Sequence, residues 1–272
     1  MLFSVITINY NNAPGLERTI KSVVSQTSKD FEFIVIDGGS SDGSKDIIEQ
    51  YADNIDYWVS EPDGGIYPAM NKGTRKAHGE YCIYMNSGDS FYDKEVLKNI
   101  ASFNIAEDIV CGDLALTKNH VVSNPDRVTL KTFYQSSLYH QATFIKSALI
   151  KNNPYDETLR LASDWKFLMD MLVLHDSSYR HIHLTVALFE GGGASDKNAA
   201  RSQKEVEETL YNIFPKRVLE DYHDYCIGDS PYRKMINYIE LIPWLKKIIF
   251  AVDKTILKII NVKLKQNWIK LL

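Results

Sequence analysis

The sequence predicts an α/β fold: a mixed, mostly parallel sheet flanked by helices, with a C-terminal helical extension. Two observations carry this expectation. Short apolar runs rich in β-branched residues alternate with stretches of helical periodicity through the first half. The polar clusters NYNN, DGGSSDGS and NSGD each follow such a run directly, which is where open α/β sheets bind ligands.

Leu2 to Ile8 reads as a buried strand, and Pro14 suits the first turn of the helix that follows it. Leu16, Ile20, Val23 and Val24 share one face of that helix. Phe31 to Ile36 is a second strand, ending at Asp37 and a glycine-serine loop. Ile47, Ile48 and Tyr51 mark the next helix, with Ser41 or Asp42 as its N-cap. Ile55 to Val59 is a third strand, Ile66 to Ala77 a helix, and Tyr81 to Met85 a fourth strand. In the second half, Asp108 to Leu114 and His140 to Ile145 have strand character, and Ser163 opens an apolar helix. Tyr179 to Phe189 is strand-like until Gly191-Gly192-Gly193 breaks it, which fits a mobile loop over the site or a hairpin turn. Ala199 to Phe214 is an acidic helix ending at Pro215.

The last stretch, 243–270, places Leu245, Ile248, Ile249, Val252, Ile256, Ile259 and Ile260 at helical spacing among lysines. Packing on the body of the chain, a homodimer contact and an anionic membrane surface all suit such a helix. From Tyr232 onward nine basic residues face two acidic ones, a net +7 in a chain of overall charge −4. The acidic body argues against a nucleic-acid partner, and the basic tail is the place to seek another one. Cys82, Cys111 and Cys226 are too scattered for a disulfide framework or a CxxC zinc site. MLFSVITINYN turns polar too soon for a secretory leader, and no apolar run reaches spanning length. A cytoplasmic location is therefore expected, with peripheral contact at the inner membrane face as an extension of it.

Asp37 sits at a strand's carboxyl end, where it could accept from a nucleobase N–H or a ribose hydroxyl; a turn or capping role competes evenly. For Asp42 the cap reading is the stronger. Asp89, in Met85-Asn86-Ser87-Gly88-Asp89, also follows a buried strand. One carboxylate there can hold Mg²⁺ or Mn²⁺ together with phosphate oxygens. His181 and His183 would share a strand face, but no third ligand is evident nearby, and exposed or packed histidines account for them better.

Taken in order, SVITINYNN, VVSQT, FEFIVIDGGSSDGS, SEPDGGIYPAMNKG and HGEYCIYMNSGD resemble the inverting glycosyltransferases of family 2, which have the GT-A fold. The likeness is close over about residues 1–95 and weaker to about 195. It points towards bacterial enzymes of exopolysaccharide, capsule or O-antigen assembly. The resemblance implies a catalytic domain over 1–215 and a basic amphipathic extension over 216–272. It further implies a nucleotide-sugar donor, a saccharide or lipid-linked saccharide acceptor, and a divalent cation, Mn²⁺ or Mg²⁺.

Carried over by position, Thr7, Asn9 and Tyr10 would line the nucleobase pocket, with Tyr10 stacking on the base. Asp37 would bond the base. Asp63, Asn71 and Gly73 would meet the ribose, the diphosphate or the donor sugar. Asp89 matches the last acid of the metal motif, although Ser87-Gly88-Asp89 stands where many members have two acids, and Pro68 stands where many carry one. Inversion needs a base, and Asp164 in Ala162-Ser163-Asp164-Trp165 fits that place at a helix start; His140 and Glu157 are alternatives. The competing functions are a nucleotidyltransferase, disfavoured because no Arg precedes Arg18 after the first strand, and a non-catalytic nucleotide-sugar-binding partner protein.

Overall fold

The computed structural model describes residues 1–191 and 198–226, with Met235, Trp244, Lys247 and Ile248 as isolated positions beyond them. The 243–270 helix and the Gly192–Gly193 part of the expected loop lie outside the described residues. The chain divides into two units, Met1–Phe214 and Pro215–Leu272.

In the first unit, strands β1 (Phe3–Asn9), β2 (Phe31–Asp37), β3 (Tyr57–Ser60) and β4 (Tyr81–Tyr84) form a parallel half-sheet in the order β3-β2-β1-β4. They form because β-branched and aromatic residues bury both faces of each central strand: β1 and β2 are buried along nearly their whole length, and Val5, Ile6, Phe33 and Val35 are fully buried. Helices α1 (Ala13–Val24), α2 (Ser44–Gln50) and α3 (Ile66–Lys76) are the crossovers. Leu16, Ile20 and Val23 of α1 join Val5 and Val35 in the core.

The second half completes a mixed sheet. Its order continues β8-β6-β9-β5, with β5 at Ser90–Phe91, β6 at Ile109–Thr117, β8 at Thr143–Lys146 and β9 at Tyr179–Leu188. The short β7 (His120–Val122) hangs on β6. β8 runs antiparallel to both β4 and β6, whereas β9 runs parallel to β6. Around it lie α4 (Val96–Ser102), α5 (Leu130–Gln135), α6 (Ser147–Asn152), α7 (Ser163–Met169) and α8 (Ala199–Ile213). In the second unit, α9 spans Lys216–Cys226.

Two local features differ from the expectation, each for a hydrogen-bonding reason. The strand expected from His140 begins only at Thr143, because His140–Ala142 forms a 3-10 turn. The Ala142 N–H and the Thr143 hydroxyl both bond the Tyr139 carbonyl, which lifts His140 off the ladder. At α2 the N-cap is Gly43, whose φ of +92° suits only glycine well. Asp42 instead accepts from Ser44 N–H at 3.1 Å and from Ala13 N–H at 2.8 Å, tying the starts of two helices together. Pro14 does lie in the first turn of α1, behind an Asn12 cap. Cys82 and Cys111 are buried free thiols, and burial pushes them up to about 11 and about 12, which makes them inert.

Candidate active site

Parallel register sets the first wall of the site. Asn9, Asp37 and Ser60 stand opposite one another at the carboxyl ends of β1, β2 and β3. Asp37 is fully buried and accepts four hydrogen bonds, from Asn9 Nδ2 (2.7 Å), Ser40 N–H (2.9 Å), Ser40 Oγ (2.6 Å) and Ser60 Oγ (2.6 Å). Burial opposes its charge, but the Ser40, Ser60 and Asn9 bonds outweigh it and hold the carboxyl below its ordinary value. Asp37 thus organises the loop that would hold a base. Beside it, Asn9 Oδ1 is a buried acceptor with no partner among the described residues. Tyr10 leaves 69% of its surface exposed next to Gly38, and Asp63 abuts the same glycine. An aromatic face, an orphan acceptor and a carboxylate therefore converge at this end.

Asp89 is held by α1. Thr19 Oγ1 donates to the Asp89 carbonyl at 2.6 Å and lies 3.0 Å from the Gly88 N–H, clamping a turn whose Gly88 has φ +110°. Asn12 Nδ2 donates to the Ser87 carbonyl of the same turn. The Asp89 residue is 7% exposed. Burial is the largest influence on its carboxyl and pushes it up to about 6; the charge of His140, the Glu190 N–H and Gln141 oppose this, while the Glu190 carboxylate adds to it. Glu190 reaches over Gly88, where any side chain would meet its Oε2 at 3.0 Å, and pairs with Arg18 of α1. Two carboxylates, one of them disfavoured as an ion by burial, make a donor set that a divalent cation would relieve. These residues therefore fit a hard cation.

Asp164 occupies the first turn of α7, and its side chain is about 20% exposed. Its Oδ2 lies 3.0 Å from His140 Nδ1, and its Oδ1 accepts the Tyr67 hydroxyl at 2.8 Å. Burial works against its charge, but the hydrogen bond and charge of His140, then Tyr67 and the Trp165 N–H, hold it below the ordinary carboxylate range. Burial lowers His140 in turn; the Asp164 bond and charge, with Asp89 behind them, leave it raised. His140 Nε2 meets Asn86 at 3.4 Å, and Asn86 Oδ1 is a buried orphan. With its amide turned, Asn86 would accept from the imidazolium and close the chain of bonds. The α8 residue Glu205 accepts the N–H groups of Arg160 and Leu161, fixing the segment that leads into α7.

The remaining expected residues are engaged in packing. Thr7 is fully buried and donates to the Met85 carbonyl at 2.7 Å, bridging β1 and β4. Asn71 uses its whole amide on the 155–157 segment, including Glu157, an alternative base that is thereby occupied. Gly73 lets α3 lie on β1, since a Cβ there would stand 2.5 Å from Ile6 Cγ2. The structure gives these three supporting places behind the site wall. Sequence reasoning missed Arg18, Tyr67 and Glu190, although Glu190 directly precedes the glycine run. It also missed Asp113, which gives His181 and His183 the neighbouring carboxylate that their spacing did not reveal.

Comparison with known proteins follows from this geometry. Residues 4–166 match the family described as Glycosyl transferase family 2. A PGL/p-HBAD biosynthesis glycosyltransferase of Mycobacterium bovis (strain BCG / Pasteur 1173P2) is 29% identical over 203 residues, covering 72% of this chain and 79% of the relative. Among solved structures, S. aureus TarS 1–349 in complex with UDP-GlcNAc matches with a TM-score of 0.64 and 20% identity, over 85% of this chain and 75% of that one. The mannosyltransferase PcManGT from Pyrobaculum calidifontis, in complex with GDP-Man and Mn²⁺, matches with a TM-score of 0.60 and 16% identity, over 98% and 82%. These structural likenesses share the fold.

The burial of Asp89 has a measurable consequence for stability. Its folded-state value stands above its unfolded one, so the stability it allows is complete below about pH 4 and is lost as pH rises through about 6. Without added cation, Asp89→Asn should match the parent in urea denaturation near pH 4. At pH 7.5 it should exceed it by on the order of 2–3 kcal/mol, since each tenfold difference in acidity between the folded and unfolded carboxyl is worth about 1.4 kcal/mol. A variant that is less stable than the parent at pH 7.5 refutes the destabilising role of this buried charge.

Proposed function

The chain belongs to glycosyltransferase family 2, and on that premise we propose that it transfers a sugar, with inversion, from a nucleotide-diphospho-sugar to an acceptor hydroxyl. A UDP-sugar is the favoured donor, and TarS holding UDP-GlcNAc is in keeping with that choice. The acceptor is a saccharide or lipid-linked saccharide in bacterial surface polysaccharide assembly. The observation that carries the reading is the single imidazole of His140 between two carboxylates, Asp164 bonded to it and Asp89 acting on it by charge. In this reading Asp89 serves the leaving group and Asp164 the acceptor.

In this reading Tyr10 stacks on the base, Asn9 Oδ1 accepts a base N–H, and Asp63 receives a sugar hydroxyl. Asp37 acts from behind, keeping Asn9 and the Ser40 loop in place. A divalent cation at Asp89 and Glu190, Mn²⁺ or Mg²⁺, would supply charge neutralisation for the departing diphosphate; PcManGT holds Mn²⁺ with its donor. Asp164 takes the proton from the acceptor hydroxyl as its oxygen bonds the anomeric carbon. The bond from that carbon to the diphosphate breaks on the opposite face, and its electron pair leaves with the diphosphate. His140 and Tyr67 aim the carboxylate and keep it ionised through the working pH range. A weak base suffices where bond breaking leads and the hydroxyl proton becomes acidic late.

Three outcomes test this. Asp164→Asn should lower kcat by about 10²–10⁴ while leaving donor affinity in calorimetry unchanged; equal loss of donor binding would remove Asp164 from the chemical step. His140→Ala should move the acidic limb of the pH–rate profile to higher pH, because only Tyr67 and the Trp165 N–H then oppose the rise that burial gives Asp164. An unmoved limb overturns the His140–Asp164 coupling. Calorimetry across UDP-, GDP- and dTDP-sugars with and without Mn²⁺, followed by the anomeric NMR signal of the product, tests donor class and stereochemistry. A retained anomer sinks the inverting mechanism.

A further inference from the structure

Beside β6 and β9 lies a second group of side chains that the transfer reaction does not use. His181 Nε2 stands 2.8 Å from Asp113 Oδ1, while His181 Nδ1 stands 2.7 Å from Asp126 Oδ1. The His183 ring lies 4.5 Å from that of His181, nearly perpendicular to it. One donor atom from each of Asp113, His181 and His183 falls within 4.8 Å of the others. We propose that Asp113, His181 and His183 form a binding site for one divalent transition metal of the zinc class, separate from Asp89, with Asp126 orienting His181.

The backbone is shaped for this cluster. Cys111 pairs with His181, but Asp113, only two residues on, pairs with Thr185, so β9 bulges through 182–184. The bulge presses on Gly112, where a Cβ would stand 2.6 Å from the Leu184 carbonyl oxygen and 2.4 Å from Val186 Cγ2. Only glycine admits this approach. Bulges that re-aim side chains in this way accompany sites.

The donor chemistry selects the ligand. Two imidazoles and one carboxylate suit Zn²⁺, Co²⁺, Ni²⁺ or Cu²⁺, whereas the carboxylates of Asp89 and Glu190 suit Mg²⁺ or Mn²⁺. A carboxylate on the far ring nitrogen of a ligating histidine fixes its tautomer and raises its basicity, which is the relation of Asp126 to His181. The His181 side chain is 1% exposed and that of His183 is 74% exposed, so the cluster has a preformed floor and an open entry. A metal bound there would take the place of the hydrogen bond between His181 Nε2 and Asp113 Oδ1. Along β9, His181 lies seven residues before Leu188, which pairs with β5 beside Asp89, a separation of roughly 20 Å at strand rise.

The test uses the tag-free full chain after dialysis against a chelator, titrated with Co²⁺ at pH 7.5 and followed by its visible d–d absorption. One equivalent should bind with a spectrum of nitrogen–oxygen coordination, displaced by Zn²⁺ but not by Mg²⁺. His183→Ala, at an exposed position that leaves the fold alone, should abolish that spectrum. Asp126→Asn should weaken binding about 10–100-fold, and Asp89→Asn should leave it unchanged. An unaltered spectrum in His183→Ala overturns the proposal. So does its loss in Asp89→Asn, or the absence of any Co²⁺ spectrum in the parent.

Discussion

Asp37 is the residue on which the carboxyl ends of β1, β2 and β3 depend. A fully buried carboxylate must be paid for in hydrogen bonds, and here four donors converge on it from three chain segments. Those donors are Asn9 at the end of β1, Ser40 in the loop after β2, and Ser60 at the end of β3. The bonds therefore register three parallel strands at their carboxyl ends and shape the loop between two of them. The Ser40 hydroxyl also receives the Asn11 N–H, so the segment leading into α1 is drawn into the same network. Removing one partner would leave a buried charge short of donors, which is why the position behaves as a keystone of the loop. Asp37 also holds the amide nitrogen of Asn9, whose Oδ1 is a buried acceptor without a partner among the described residues.

At the other end the constraint is charge rather than hydrogen bonding. Asp89, Glu190 and Asp164 crowd one region, and only His140 and Arg18 answer them among the contacts described. The balance is uneven. Asp164 has the imidazole in direct contact and stays ionised, while Asp89 feels it only at a distance and is pushed up to about 6. One site thus holds two carboxylates in opposite states of ease, the condition under which two acids take different roles. The arrangement costs stability at neutral pH, a cost that falls on the Asp89 carboxylate.

Much of this was legible in the sequence, and what was not has physical reasons. β1, β2 and β4 read plainly because central parallel strands are apolar on both faces, so Val5, Ile34 and Ile83 need no alternation to betray them. β5 and β7 are two and three residues long, too short for any period to show. Asp89 and Asp164 could be placed because each follows a strand or opens a helix. Glu190 could not, because it meets Arg18 across 172 residues of sequence and nothing local marks the encounter. Thr7, Asn71 and Gly73 lie in motif-rich segments, yet such segments must also pack. A buried Thr hydroxyl on a carbonyl, an amide with all its bonds made, and a glycine under a helix crossing look the same in sequence as ligand residues.

The β9 bulge links the two halves of the molecule's chemistry. From Cys111 to Leu114 on β6, the paired residues on β9 run from His181 to Ala187, so β9 takes twice as many steps. Because strand faces alternate every residue, an odd surplus reverses which face the rest of β9 presents. Ala187 and Leu188 then pair with Phe91 and Ser90 of β5, immediately after Asp89. Glu190 follows them and falls against Gly88. A strand without the bulge would bring the chain to the Asp89 turn out of phase, with the opposite face of β9 presented to β5. Gly112, which makes room for the extra backbone, is therefore a determinant of the face that β9 presents there.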